Sequence, residues 1–318
     1  RDSANKAWVE INISTSLQVS KSGSLEYRLD KNRSWEKANG EWKDERFFAR
    51  LRVRAGGWHT IEVRDSRTPD HRSQVVQFGV GEVFVVAGQS NSGNYGEIKQ
   101  STQTGLVSAF DFDNNKWQLA IDPQPGAGGK GGSIMPLLGD ALSKKLNLPI
   151  GIIAYGQGGT SVREWLPQGS RFPNPPTVEN NVRKINDGEW ESLGKIYPGF
   201  IERMKAFGKN GFRAVLWHQG ENDQGESGAT GTFGWVNYQD YFIRMTAAWK
   251  QDYPNINHYY IHQIWPGACG SRSIENDRLR EQQRQLPKQF SNMSVMSTLG
   301  IRPGGGCHHP PEGYAAMA

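Results

Sequence analysis

Cysteine is scarce in this chain, at two residues in 318. Cys269 and Cys307 alone cannot make a zinc ligand set, so no metal is expected from them. Whether they pair is left open; pairing would favour an oxidising compartment. No apolar run approaches the roughly 18 residues that a membrane-spanning helix needs, so no membrane span is expected. The chain opens Arg-Asp-Ser-Ala-Asn-Lys, with neither an initiator Met nor an apolar signal core. It therefore reads as a mature product whose export signal has gone, and a secreted or periplasmic location is the expectation. Blocks of like charge are also missing: net charge is +5, but the 37 basic residues are scattered. No basic stripe for nucleic acid is evident, and the charge reads as a solvated surface, with a mild preference for acidic glycans as the alternative. Internal repeats and low-complexity tracts are absent, and so is the G-x-S-x-G nucleophile elbow.

What is present reads as a globular protein of one large domain, or a large and a small one. In the first 80 residues apolar and polar positions alternate. Ala49, Leu51 and Val53 interleave with Arg50, Arg52 and Arg54, and after Gly56-Gly57 Ile61 and Val63 interleave with Glu62 and Arg64. Period-two patterning between turn residues predicts a small all-β sandwich over 1–80. The polar segment 65–73, with Pro69, reads as a loop before a strand over 75–80. From residue 81 the pattern becomes α/β. Continuous apolar runs at 83–87, 150–155, 214–217, 259–264 and 293–296 predict buried strands. Amphipathic helical stretches lie between them: 136–146 with Leu137, Leu138, Ala141, Leu142 and Leu146; Phe200, Met204 and Phe207; and Tyr238, Tyr241, Phe242, Met245 and Trp249. Strands alternating with helices predict a parallel sheet covered on both faces, with the chemistry beyond the carboxyl ends of its strands.

Four segments follow such strand ends. Gly88-Gln89-Ser90-Asn91 can present a hydroxyl beside backbone N–H groups, although a Ser-rich turn is often only a cap. Gly158-Gly159 frees backbone N–H groups for close approach to a ligand, but is equally a common turn. Trp217-His218-Gln219-Gly220-Glu221-Asn222-Asp223 is the third, and Cys307-His308-His309-Pro310 the fourth. Trp165, Trp217 and Trp265 lie near these loops, where they either stack on a sugar ring or pack the core. Arg163 and Glu164 either contact substrate hydroxyls or cap a turn. His258 and His262, four apart on a strand, lack a third ligand for a metal.

Taken in order, the segments 83–91, 158–167, 217–223 and 306–318 resemble the SGNH-hydrolase superfamily, in its sialate O-acetylesterase-like carbohydrate esterase branch. The resemblance implies a three-layer α/β/α catalytic domain over 81–318, behind a small sandwich that is a common companion. It implies a serine carboxylic-ester hydrolase that removes O-acetyl groups from a sugar or polysaccharide without metal or organic cofactor. Ser90 matches the nucleophile. His308, five residues before Gly313, matches the general base better than His309 does. The backbone N–H groups of Ser90 and Gly159 and the side chain of Gln219 match the oxyanion hole. The sequence departs from the family at one place: the Asp three residues before the histidine is Gly305, and no acidic residue lies between Asn292 and Glu312. Three readings follow. A carboxylate from another loop, Glu221 or Asp223, orients the ring; a Ser–His dyad works with a backbone carbonyl; or the chemistry is weakened or lost, leaving a carbohydrate-binding pseudoenzyme. Acyl transfer to a sugar rather than to water is a further alternative.

Overall fold

The computed structural model describes residues 6–14, 24–31, 33–44, 46–173, 176, 179–207, 211–227, 232–270, 274–301 and 306–318. The chain divides into two compact units. One holds residues 1–82 with 142–150, the other 83–141 with 151–318. The sequence boundary at 80 thus lies beside the first break, but the excursion of 142–150 into the first unit has no counterpart in the sequence reading.

In the first unit, β1 (Lys6–Ser14), β2 (Leu25–Leu29), β3 (Glu36–Lys37), β4 (Gly40–Lys43), β5 (Arg46–Arg54), β6 (Trp58–Asp65), β7 (Thr68–Arg72) and β8 (Val76–Gly79) form two sheets. One runs β1-β5-β4; the other runs β3-β2-β6-β7, with β8 also on β6. Alternation along β5 is strict: Phe47, Ala49, Leu51 and Val53 are buried and the intervening residues exposed. Those side chains cluster with Leu25 and Val63 of the other sheet and with Leu148 from the segment 142–150. The segment 65–73, expected as a loop, contains strand β7. It pairs at the end of its sheet with every residue exposed, a position that tolerates Pro69 and gives no apolar signal.

The second unit is built on a seven-stranded sheet. Its strands are β9 (Glu82–Gly88), β10 (Val107–Asp111), β11 (Lys116–Leu119), β12 (Ile150–Gly156), β16 (Ala214–His218), β19 (His258–His262) and β20 (Met293–Met296). Its order is β11-β10-β12-β9-β16-β19-β20. Between β12 and β16 lie β13 (Arg171–Phe172), β14 (Val182–Asn186) and β15 (Glu189–Ser192), a small sheet of their own, and β17 (Glu226–Ser227) with β18 (Thr232–Phe233) forms a short hairpin. β9, β16, β19 and β20 are parallel, whereas β10 and β11 form an antiparallel edge that the sequence reading lacked. β11 is exposed throughout, so its residues carry no core pattern.

The helices are α1 (Met135–Leu146), α2 (Ile196–Lys205), α3 (Tyr238–Asp252), α4 (Ile274–Gln289) and α5 (Pro311–Met317). The α2 and α3 stripes pack as their spacing predicts, Phe200 stacking on Trp249 at 4.4 Å between ring centroids. Phe207 falls beyond the end of α2, and Ala141 and Leu146, expected on the buried side of α1, are exposed. Val85 and Ala87 of β9, Val215 and Trp217 of β16, and Leu279 and Leu286 of α4 join the same core.

Candidate active site

Strand register brings the motif loops together. Gly88 of β9 stands opposite His218 of β16, and His218 opposite His262 of β19. The N–H of Gln157, just past β12, donates to Gly88 O at 2.8 Å. The loops after β9, β12 and β16 therefore leave one edge of the sheet side by side, where ligands of such sheets bind. Gly88 makes the turn into the first loop at φ +129, and a Cβ there would stand 2.1 Å from His218 O. Only glycine fits.

Ser90 opens a buried 3₁₀ turn, Ser90–Ser92, held by Gly93 N–H donating to Ser90 O and by the Ser92 hydroxyl donating to Gln89 O. At the first position of the turn the Ser90 N–H has no acceptor within it. Gln89 Oε1 accepts from Gly220 N–H at 3.2 Å and Asn222 N–H at 3.4 Å, tying this loop to the third motif.

Asn91 is the hub. Its Nδ2 donates to Glu221 Oε1 at 2.7 Å and to Cys307 O at 2.8 Å. Its Oδ1 accepts from the Tyr314 hydroxyl at 3.0 Å and from His309 N–H at 3.3 Å. One carboxamide thus fastens the residue after Ser90 to both sides of His308. The loop is tied a second time by the disulfide Cys269–Cys307, which settles the pairing that the sequence leaves open.

His308 is half-buried, its ring 5.2 Å from that of Tyr95, and Tyr95 in turn packs at Gly158, where a Cβ would meet its hydroxyl at 2.4 Å. Desolvation lowers the His308 pKa, and the charge of Glu221 works against that lowering. No hydrogen bond joins Ser90 and His308; such bonds are often long before substrate binds. His309 is fully buried between the rings of His218, Trp265 and Tyr314, and desolvation with the neighbouring His218 holds its pKa down to about 3. Gly159 is exposed at φ +76 with nothing within 4 Å of a Cβ position, and its N–H makes no hydrogen bond among the described residues.

The two candidate carboxylates differ. Asp223 Oδ2 accepts from Val162 N–H at 2.9 Å and from Gln219, while Arg163 lies 3.6 Å from Oδ1. Burial raises its pKa against the pull of Arg163. Glu221 Oε1 receives Asn91 and lies 3.4 Å from His218 Nε2, and its Oε2 is buried with no hydrogen-bond partner. Desolvation works to raise the Glu221 pKa, but His218 and Asn91 outweigh it and the carboxyl is lowered. Gly305 lies outside the described residues.

Several side chains that the sequence leaves between two roles have their partners in the interior. Gln219, expected to donate to the oxyanion, is fully buried, with its side-chain NH2 donating to Asp223 Oδ2, Thr160 O and Gln89 Oε1. Trp165, Trp217 and Trp265 are at most 1% exposed and pack the core instead of offering a sugar platform. Arg163 pairs with Asp223, and Glu164 accepts the Ser161 N–H, so both are structural; burial pushes the Glu164 carboxyl up to about 7. Asn91 has no role legible in its own segment, because its partners lie 130 and more residues away. Tyr95 carries no sequence signal.

Among solved structures, a protein from Arabidopsis thaliana is similar, with TM-score 0.54 and 19% identity over 74% of this chain and 94% of that one. A carbohydrate acetylesterase from Xanthomonas citri matches with TM-score 0.60 and 17% identity, over 98% of this chain and 69% of that one. At such identities the likeness is one of fold. No curated protein matches the chain. Residues 80–314, which take in all four motif loops, match the family described as "Carbohydrate esterase, sialic acid-specific acetylesterase". This chain belongs to that carbohydrate esterase family.

Proposed function

We propose that the protein is a serine O-acetylesterase acting on an acetylated sugar or polysaccharide, with Ser90 as nucleophile, His308 as base and Glu221 as the carboxylate that orients the base. The carrying observation is the Asn91 carboxamide, which bonds Glu221 and both backbone neighbours of His308 from the residue next to Ser90. Glu221 is preferred to Asp223 because its charge acts on His308, whereas Asp223 faces Arg163, Val162 and Gln219. The dyad and pseudoenzyme readings draw on Gly305 alone.

In the first step His308 removes the Ser90 proton as Oγ attacks the acetyl carbonyl, and the sugar hydroxylate leaves with that proton. The oxyanion is held by the N–H groups of Ser90 and Gly159. Gln219 supports the hole from behind, through Thr160 O and Gln89. Water, deprotonated by His308, then attacks the acetyl-serine and releases acetate. The second unit is read as the three-layer α/β/α fold of SGNH hydrolases and the two sheets of the first as a β-sandwich. A secreted or periplasmic location is supported by the disulfide. The direct test is Ser90→Ala with p-nitrophenyl acetate and acetylated xylan: acetate release should fall to background, and retained turnover would reject Ser90.

A further inference from the structure

The family resemblance asks for a side-chain donor to the oxyanion, yet Gln219, which matches that role, directs its amide hydrogens to Asp223 Oδ2, Thr160 O and Gln89 Oε1. Tyr95 brings another polar group to the same loop. Its ring lies against that of His308, with centroids 5.2 Å apart and planes 30° apart. Its hydroxyl oxygen lies at the loop after β12, 2.4 Å from where a Cβ on Gly158 would stand and 3.1 Å from where one on Gly128 would stand. Gly158 shares a peptide group with Gly159, the residue whose N–H is the proposed oxyanion donor. One side chain therefore spans from the base to the oxyanion loop. Tyr95 is partly exposed, Gly158 and Gly159 are exposed, and the Tyr95 hydroxyl takes part in no hydrogen bond among the described residues.

The backbone on both sides of Tyr95 is fixed. The Asn94 side chain accepts from Gln124 N–H at 2.7 Å and donates to Gln124 O at 2.9 Å and Ala127 O at 3.2 Å. Asn94 N–H donates to Gly128 O, and Asn94 O accepts from Gly131 N–H, both at 2.8 Å. After Tyr95, Gly96 and Gly132 exchange N–H···O bonds of 2.8 and 2.7 Å. Gly128 N–H donates to Gly156 O at 2.8 Å, which joins this frame to the end of β12. Stacking on His308 needs only the ring, which phenylalanine would supply. The hydroxyl is the part that stacking leaves unused, and it is held in place before any substrate arrives. Donors fixed in that way stabilise a developing negative charge most, because nothing has to reorganise as the charge forms.

We infer that the Tyr95 hydroxyl is a third donor to the oxyanion, beside the N–H groups of Ser90 and Gly159, in the role that Gln219 does not fill; this rests on the serine esterase chemistry proposed above. The phenol keeps its proton throughout and gives only a hydrogen bond. The test is Tyr95→Phe in the full chain, which keeps the ring against His308 and removes the donor. Its kcat should fall about 10²- to 10³-fold on both p-nitrophenyl acetate and acetylated xylan, with KM little changed. The thermal midpoint and the pH midpoint of kcat/KM should stay at the wild-type values, because the surroundings of His308 are preserved. Inhibition by phenylboronic acid, whose adduct with a serine hydroxyl carries a tetrahedral anionic centre, should weaken tenfold or more. Wild-type kcat in Tyr95→Phe, a change confined to KM, or a loss accompanied by a shifted pH midpoint would each overturn the inference. Ser90→Ala is measured alongside. An inactive Ser90→Ala beside a fully active Tyr95→Phe would sink the role of Tyr95 alone, whereas an active Ser90→Ala would sink the chemistry on which it rests.

Discussion

At the scale of single residues, the vacancy left by Gly305 is the sharpest question, and Glu221 and Asp223 answer it differently. Glu221→Gln keeps a hydrogen-bond acceptor for Asn91 but removes the charge that acts on His308. Loss of an orienting carboxylate costs up to about 10⁴ in turnover in a serine protease, so kcat should fall about 10²- to 10⁴-fold with little change in thermal midpoint. Asp223→Asn should do the reverse: Arg163 would remain buried without its counter-charge, a change of about 3–5 kcal/mol in stability, with kcat of the folded enzyme far less affected. Measuring kcat and thermal unfolding for both variants side by side decides the assignment. The pH profile adds a sign. His308 has a lowered pKa because its charged form is poorly solvated, so kcat/KM should rise with pH through a midpoint below 6.5. In Glu221→Gln the opposing influence is gone, and the midpoint should move lower still. A limb near 3 in the wild type would instead point to His309. The motifs that carry Ser90 and His308 are local and therefore legible in the sequence. The hub role of Asn91 could not, since it exists only once three loops meet.

Among elements, those with a core-facing pattern were legible and those without one were not. β5, β9, β16 and α3 each carry a period that burial then follows. β7 and β11 are exposed edge strands whose residues obey no such rule. The tryptophans near the loops were ambiguous for the same reason, because a large aromatic at a strand end suits either a core or a sugar. The disulfide is the element-level device that replaces local order at the histidine. The loop carrying Cys269 is itself braced, with Ala268 O accepting from Gln224 and the Gly267 N–H donating to Asn276. Cys307 is therefore joined to a fixed point one residue before His308. Cross-linking positions 38 residues apart is worth about 4 kcal/mol in the chain-entropy account. Cys307→Ser should lower the thermal midpoint and also reduce kcat several-fold, and dithiothreitol should bring the wild type to the same values. A reduced enzyme with unchanged kcat would show that Asn91 alone positions the loop.

For the whole molecule, the change from alternating to continuous apolar runs falls close to residue 82, where the chain divides, while the loan of residues 142–150 to the first unit has no mark in the sequence. It depends on Leu148, which is 2% exposed and packs with Leu51, Val53, Ala55 and Val80. In sequence that leucine ends an unremarkable polar stretch; only its partners, about 70 to 100 positions earlier, give it a place. Pro149 O accepts the Glu82 N–H in the same region. Cutting the chain at 82/83 would therefore not release an intact catalytic unit. The fragment 83–318 would carry a leucine whose burial contributes about 1.5–3 kcal/mol, now facing water. We expect it to unfold at a lower temperature than the full chain and to aggregate more readily, with p-nitrophenyl acetate turnover reduced in proportion to the folded fraction. Leu148→Ala in the full chain should reproduce part of that loss, about 2–5 kcal/mol, by opening a cavity in the same cluster. In the fragment the same substitution should improve solubility, because there it removes exposed apolar surface. A fragment as stable and soluble as the full chain would show that the 142–150 segment finds equivalent burial without the first unit.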